Sequence, residues 1–310
     1  MKLKQLIYGI ATFIPGVSRF RSRGPGETAS ARYCYSVWLR HLVRAKNNGL
    51  DSSPKVVAEL GPGGSLGMGL AALLSGCDKY FAFDIVEHAN TAINIKVFEE
   101  LIDLYRSKAD IPREDEFPNI KPSLEDYHFP YDILDRNRLL HALEPSRIQK
   151  IRNSIQYSER NDSLIKYIVP WNDVNILMGE SVDMIFSQAV LEHVDDLRSV
   201  YRSMYLWLVP TGYISHQIDF KCHGTADEWN GHWKYSDFMW RLIKGKRPYL
   251  LNREPHSAHI SILNKEGYKI VCDKKIKSES TLNRNRLASR FKSIPDDDLT
   301  CSGAFIQARK

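Results

Sequence analysis

From Lys55 onward the hydrophobic pattern alternates between two kinds of segment. Val56-Val57-Ala58-Glu59-Leu60 is a short, nearly continuous apolar run, the signature of a strand buried on both faces, and it ends in the turn Gly61-Pro62-Gly63-Gly64-Ser65. An apolar helix then runs through Leu74. A second buried strand, Tyr80-Phe81-Ala82-Phe83, stops at Asp84, and a helix is predicted from about Val86 to Tyr105. The pattern resumes at Tyr167-Ile168-Val169, at Met184-Ile185-Phe186, in a helix over about 195–208 ended by Pro210-Thr211-Gly212, and in a strand from Tyr213 to Ile218. Tyr268 to Cys272 and Ala304 to Gln307 add two more strands. Strands and helices in this order predict an α/β fold, a doubly wound, mostly parallel sheet of seven strands.

Two stretches fall outside that alternation. Residues 30–48 read as a helix with Tyr35, Trp38, Leu39, Leu42 and Val43 on one face and arginines between them, stopping at Asn47-Asn48-Gly49. Residues 1–50 are therefore expected as an N-terminal helical segment ahead of one decorated domain, 51–310. Residues 108–165 are polar and punctuated by Pro112, Pro118, Pro122, Pro130 and Pro145. A structureless loop of that length is out of place in a compact domain, so the stretch is read as an inserted subdomain, helical around 132–157 and capping the acceptor side of the ligand crevice.

The chain has 310 residues, 43% hydrophobic and 26% charged, which excludes disordered and fibrous classes. A net charge of +6 suits an anionic substrate, an acidic membrane or nucleic acid and selects none of them. The five cysteines are odd in number, scattered and never spaced as CxxC, which argues against a disulfide framework or a zinc site and fits a reducing cytoplasm. The apolar run Leu6 to Val17 is broken by Gly9 and Pro15 and is too short to span a bilayer. It is expected as a helix packed on the domain. Basic residues on both sides of it leave a peripheral membrane contact through residues 1–23 open.

The chemistry is densest at the glycine turn. Gly61 and Gly63 permit positive φ and close backbone approach to a ligand at the carboxyl end of a strand. Asp84 lies 23 positions after Gly61, at the end of the next strand, where a carboxylate accepts both hydrogen bonds of a ribose diol. Glu59 suits a cationic amino-acid ligand and would repel a dinucleotide pyrophosphate, which disfavours NAD.

These residues resemble the E/D-x-G-x-G turn of class I S-adenosylmethionine-dependent methyltransferases, a Rossmann-like α/β family. The stretch Ser181 to Val194 resembles the family's fourth-strand motif. Val209-Pro210-Thr211-Gly212 resembles its L-x-P-G-G turn before strand five, with Thr211 in place of the first paired glycine. The resemblance implies S-adenosylmethionine as cofactor. It puts Glu59, Gly61 and Gly63 at the methionine part, Asp84 at the ribose, Asp173 at the adenine amine, and Ser187 and Gln188 beside the sulfonium.

Methyl transfer from a sulfonium needs positioning and, for a hydroxyl acceptor, a base. The fifth strand ends in His216-Gln217-Ile218-Asp219, with His223 beyond, and alternation separates His216 and Ile218 from Gln217 and Asp219. His216 is the first candidate for the base, with Asp219 or His223 assisting. Trp229, His232, Arg253 and His256 are residue types that stack on sugars and grip anions. His193, beside Glu192, either joins them or only caps the following helix. No HExxH-like signature is present and no metal is expected.

Three stretches, Ala31 to Leu42, Phe186 to Val194 and Ser215 to Phe220, resemble a bacterial methyltransferase subgroup associated with surface-polysaccharide and sugar biosynthesis. That resemblance implies O-methylation of a sugar hydroxyl on a nucleotide-linked or lipid-linked glycan. Another small-molecule acceptor (a lipid, quinone or secondary metabolite) and a non-catalytic cofactor-binding partner protein stay open. Nucleic acid is not expected as a substrate, because no N/D-P-P-Y-type motif follows the fourth strand.

Overall fold

The computed structural model describes residues 3–14, 27–171, 174–247 and 250–310. Its strands are β1 (Val56–Leu60), β2 (Lys79–Phe83), β3 (Ile165–Ile168), β4 (Val182–Gln188), β5 (Leu208–Asp219), β6 (Lys269–Lys277) and β7 (Cys301–Arg309). Its helices are α1 (Leu3–Ala11), α2 (Ala31–Asn47), α3 (Gly67–Leu74), α4 (Thr91–Ser107), α5 (Arg136–Ala142), α6 (Pro145–Gln156), α7 (Leu197–Trp207), α8 (Asp237–Lys244) and α9 (His256–Lys265).

The seven strands form one sheet in the order β3-β2-β1-β4-β5-β7-β6. β1 runs parallel to β2 and β4, and β2 parallel to β3. The sheet is mixed, however, because β7 is antiparallel. Phe220 N donates to Ser302 O and Lys310 N to Gly212 O, which pairs the end of one strand with the start of the other. The winding reverses between β1 and β4, and in an open α/β sheet the space outside the carboxyl ends of two such strands is where ligands bind.

The chain divides into two compact units. The larger comprises Gly24–Gln188, Ser203–His216 and Gln307–Lys310, the smaller Met1–Arg23, Ala189–Arg202 and Gln217–Ile306. Within the expected N-terminal segment 1–50, α1 falls in the smaller unit and α2 in the larger.

In the larger unit α3 is buried at every position from Gly67 to Leu74, which explains why it is apolar all round. Ser30 starts α2 by accepting from Tyr33 N. Arg40 and Arg44, on this helix, are not solvated as their charge suggests: they are 0% and 5% exposed. Arg40 donates to the carbonyls of Pro112, Ile120 and Pro122 and pairs with Glu114 at 2.8 Å. A proline-punctuated segment without regular structure leaves its carbonyls unpaired, and this guanidinium satisfies three of them.

The insert does carry two helices, α5 and α6, within the expected 132–157, but they do not cap the crevice. Arg138 donates to the carbonyls of Ser52 and Ser75, and Arg147 to those of Leu73 and Cys77. Those carbonyls lie just before β1, at the end of α3 and just before β2, so the helical part of the insert sits at the amino-terminal edge of the strands. Two boundaries also differ from the sequence reading. α4 begins at Thr91, because Asn90 Oδ1 accepts from Ala92 N and Ile93 N, while Ile85 and Val86 lie exposed ahead of it. Pro210-Thr211-Gly212 lies inside β5, where Gly212 O accepts from Lys310 N.

In the smaller unit α1 packs against α8, and Tyr201 OH meets His259 Nδ1 of α9 at 3.0 Å while its own carbonyl accepts from Tyr268 OH. β6 ends the sheet with Lys269, Lys274, Lys275 and Lys277 exposed, a run of charge that discourages pairing with another strand.

Candidate active site

The glycine turn follows directly from β1. Gly61 and Gly63 have φ of 64° and 73°, in the left-handed region, and Gly61 N donates to Phe83 O at 2.8 Å, which fixes the turn beside the end of β2. Thr28, ahead of α2, braces the turn from outside. Its Oγ1 accepts from Gly64 N at 3.1 Å, and its carbonyl accepts from Ser65 Oγ. Nothing in the sequence marked Thr28, because its role is purely tertiary.

Asp84, at the end of β2, is 7% exposed, and one carboxylate oxygen accepts from Ile85 N at 2.8 Å. Burial raises its carboxyl above the ordinary range, opposed by the amides of Ile85, Val86 and Gly63 and by His88. Glu59 is deeper still, at 1% exposed. Its Oε2 accepts from Tyr80 OH at 2.5 Å, while Oε1 is buried without a hydrogen-bond partner. Burial pushes this carboxyl up to about 8, with Tyr80 opposing and the charge of Asp84 adding to the rise. The Tyr80 ring lies flat against α3 only because residue 69 is glycine: a Cβ there would stand 2.0 Å from Tyr80 Cζ.

At the ends of β4 and β5, Ser187 and His216 are both fully buried, and Ser187 Oγ meets His216 Nδ1 at 2.8 Å. Ser215 faces the other side of β5, where its Oγ meets His41 Nδ1 at 2.7 Å and accepts from Gln307 Nε2 at 2.9 Å. Burial pushes His41 down to about 4, opposed by the Gln188 side chain. His216 is therefore bound to Ser187 and has no surface open to solvent.

The smaller unit holds a second group. Asp219 Oδ2 and His223 Nε2 are 3.2 Å apart, with side chains 23% and 29% exposed. Asp219 Oδ1 accepts from Lys221 N at 2.9 Å. Burial works against the Asp219 charge, yet His223 and Lys221 hold its carboxyl below the usual range. His223 has a φ of 45°, a conformation that costs a non-glycine residue roughly 1–3 kcal/mol and is held only where the surroundings impose it. The rings of His193 and His223 are 5.2 Å apart. Glu192, 2% exposed, has a carboxyl raised well above its ordinary value by burial, and the negative charge of Asp219 raises it further.

The remaining candidates are already committed to protein partners. Arg253, 3% exposed, pairs with Asp237 at 2.6 Å and stacks on Trp240 and Phe291. His256 pairs with Asp273 at 2.8 Å. His232, 1% exposed, is pushed down to about 3 by burial and by Arg253. Trp229 is half-buried and donates through Nε1 to Glu279 O. Its carbonyl accepts from Cys222 N at 2.6 Å, closing the loop that carries His223. Asp173 lies outside the described residues. Among the described residues no three His, Cys, Asp or Glu side chains gather as a metal-ligand set, and no helix is long and apolar enough to cross a membrane.

Neither a family model nor a curated protein matches the sequence. Among solved structures, the chain is similar to an S-adenosylmethionine-dependent methyltransferase from Mesorhizobium loti, with 12% identity, 83% of this chain and 91% of that one covered, and a TM-score of 0.40. It is also similar to phosphoethanolamine N-methyltransferase 2 of Haemonchus contortus in complex with S-adenosyl-L-methionine, with 13% identity, 98% of this chain covered and a TM-score of 0.44. The match takes in 56% of that second protein, so the chain spans about half its length.

Proposed function

We propose that this chain is an S-adenosylmethionine-dependent methyltransferase that O-methylates a sugar hydroxyl in glycan or polysaccharide biosynthesis. The observation that carries the reading is the left-handed Gly61–Gly63 turn tied to the end of β2 beside Asp84, at the point where the winding of the sheet reverses. The residues fit the cofactor. Asp84 has acceptor capacity for a ribose diol, the turn keeps side chains away from a close ligand, and the buried Glu59 Oε1 lacks the partner that a cationic amino group would supply. When bound, the cofactor supplies a methyl group on a sulfonium already activated for in-line displacement.

The chain's own part is to orient the acceptor and take its proton. A hydroxyl that gained a methyl group would have one proton to lose, and a base of this chain would take it. His223 fits this role better than His216, which is fully buried and bound to Ser187. Asp219 engages Nε2 of His223 and so orients the ring, leaving Nδ1 to accept the proton.

The test is transfer of labelled methyl from the cofactor to sugar nucleotides, lipid-linked glycans, quinones and lipids, with His223→Ala, Asp219→Asn and His216→Ala alongside wild type. The expected result is label on a sugar oxygen, lost about 10²–10⁴-fold in folded His223→Ala with cofactor affinity unchanged. Label on a quinone or lipid alone would refute the sugar and keep the methyl transfer. Wild-type turnover by His223→Ala would refute the base.

A further inference from the structure

The two faces of α1 have opposite surroundings. One lies against α8 at backbone contact: a Cβ on Gly9 would stand 2.1 Å from Leu242 O, and one on Gly245 would stand 2.2 Å from Gly9 O. On the same side Thr12 Oγ1 accepts from Lys246 N at 2.8 Å, Gln5 Oε1 accepts from Arg247 Nη1 at 3.1 Å, and Leu6 packs on a core that includes Trp240 and Ile243. α1 is therefore held in a fixed seat. Its opposite face carries Leu3, Ile7 and Ile10 at i, i+4 and i+7, continued by Ile14, and they are 62%, 55%, 47% and 58% exposed. Phe13 beside them is 48% exposed, and Phe238 on α8 is 69% exposed.

Two lysines stand beside this apolar stripe. Lys4 Nζ lies 5.7 Å from the Tyr8 ring centre and Lys246 Nζ 5.9 Å from that of Phe13. The sequence has no Asp or Glu before Glu27, while Lys2, Lys4, Arg19, Arg21 and Arg23 all precede it. An apolar face and a basic surround are the two signals that together give stable binding to a lipid surface, where either alone is marginal. We infer that α1 docks this protein on an anionic membrane surface, with Leu3, Ile7, Ile10, Phe13 and Ile14 in the boundary between headgroups and acyl chains. Charge selects this occupant over a second copy of the chain. Two such stripes set face to face would bring Lys4 and Lys246 of both copies together, whereas anionic headgroups neutralise them. Among the described residues no helix is long and apolar enough to cross a membrane.

The experiment is co-sedimentation of the full chain with phosphatidylcholine vesicles, with and without phosphatidylserine, for wild type, Ile7→Glu/Ile10→Glu and Lys4→Ala. Wild type should sediment with the anionic vesicles and release as salt rises. The double variant should lose binding at least about tenfold and Lys4→Ala about fivefold. Both sites are on the exposed face, so melting temperature and cofactor affinity should match wild type. Lack of wild-type binding, equal binding to neutral vesicles, or unchanged binding by the double variant would overturn the inference. So would a wild-type dimer in sedimentation equilibrium that the double variant converts to monomer, since the stripe would then be covered by a second copy.

Discussion

Replacing Glu59 with Gln should make the protein more stable, and increasingly so as pH rises. The folded carboxyl titrates at about 8, against about 4.3 for an unperturbed Glu. Between those values the folded state keeps a proton that the unfolded chain has lost, so rising pH drives wild type towards unfolding. The penalty is absent below about pH 4, grows to roughly 3–4 kcal/mol at pH 7 and levels off near 5 kcal/mol above pH 8, at about 1.4 kcal/mol per unit. Gln keeps an acceptor for Tyr80 OH and carries no titratable proton, so it escapes the penalty. Urea unfolding of both proteins at pH 5, 7 and 8.5 should show a gap that widens with pH. A gap constant across that range, or one favouring wild type, would refute the argument that burial holds this proton. The gain should come with a loss. If the cofactor's amino group draws the proton off Glu59, binding at pH 7 releases a proton into solution and its calorimetric enthalpy depends on the buffer. Glu59→Gln should then bind more weakly and without that buffer dependence. Equal affinity and no proton release in wild type would leave Glu59 with a packing role only.

Asp84→Ala should weaken cofactor binding at least about tenfold in calorimetry, through loss of hydrogen bonds to a charged acceptor. Gly69→Ala should lower stability by about 1–3 kcal/mol or more in denaturant unfolding, since the Tyr80 ring has to leave its place against α3. Arg40→Ala should cost about 3 kcal/mol and open residues 112–123 to limited proteolysis, because Glu114 and the carbonyls of Pro112, Ile120 and Pro122 lose their common partner.

Much of this fold was legible because the deciding information was local. β1, the glycine turn, β2 and α3 lie within thirty consecutive residues, 55–84, whose apolar runs and glycines leave few alternatives. Where the reading failed, the missing information was tertiary. Val86 stands at the expected start of a helix, yet it is 43% exposed and lies ahead of α4, whose start the Asn90 side chain decides. Pro210-Thr211-Gly212 has the composition of a turn and becomes strand because Lys310, a hundred residues later, pairs with it. Arg40 is buried because the carbonyls of the insert lie over it, which no local pattern in α2 could show. Alternation separates His216 and Ile218 from Gln217 and Asp219 along β5 but says nothing of depth, and depth separates the buried His216 from the partly exposed His223.

The bonds around Gln307 constrain when this protein can finish folding. Gln307 Nε2 reaches His41 O and Ser215 Oγ, and Gln307 Oε1 accepts from Asn48 Nδ2, across separations of 266, 92 and 259 residues. During synthesis α2 leaves the ribosome long before residue 307 is made, and until then Asn48 and Ser215 have no Gln307 to meet. Contacts between such distant parts of a chain form slowly, because a long loop has to close first. The larger unit therefore completes only after translation has passed β7, and its nascent chain carries an open layer of apolar and polar groups through most of its time on the ribosome. A chain halted before residue 307 would leave that layer open and so would be a substrate for chaperones.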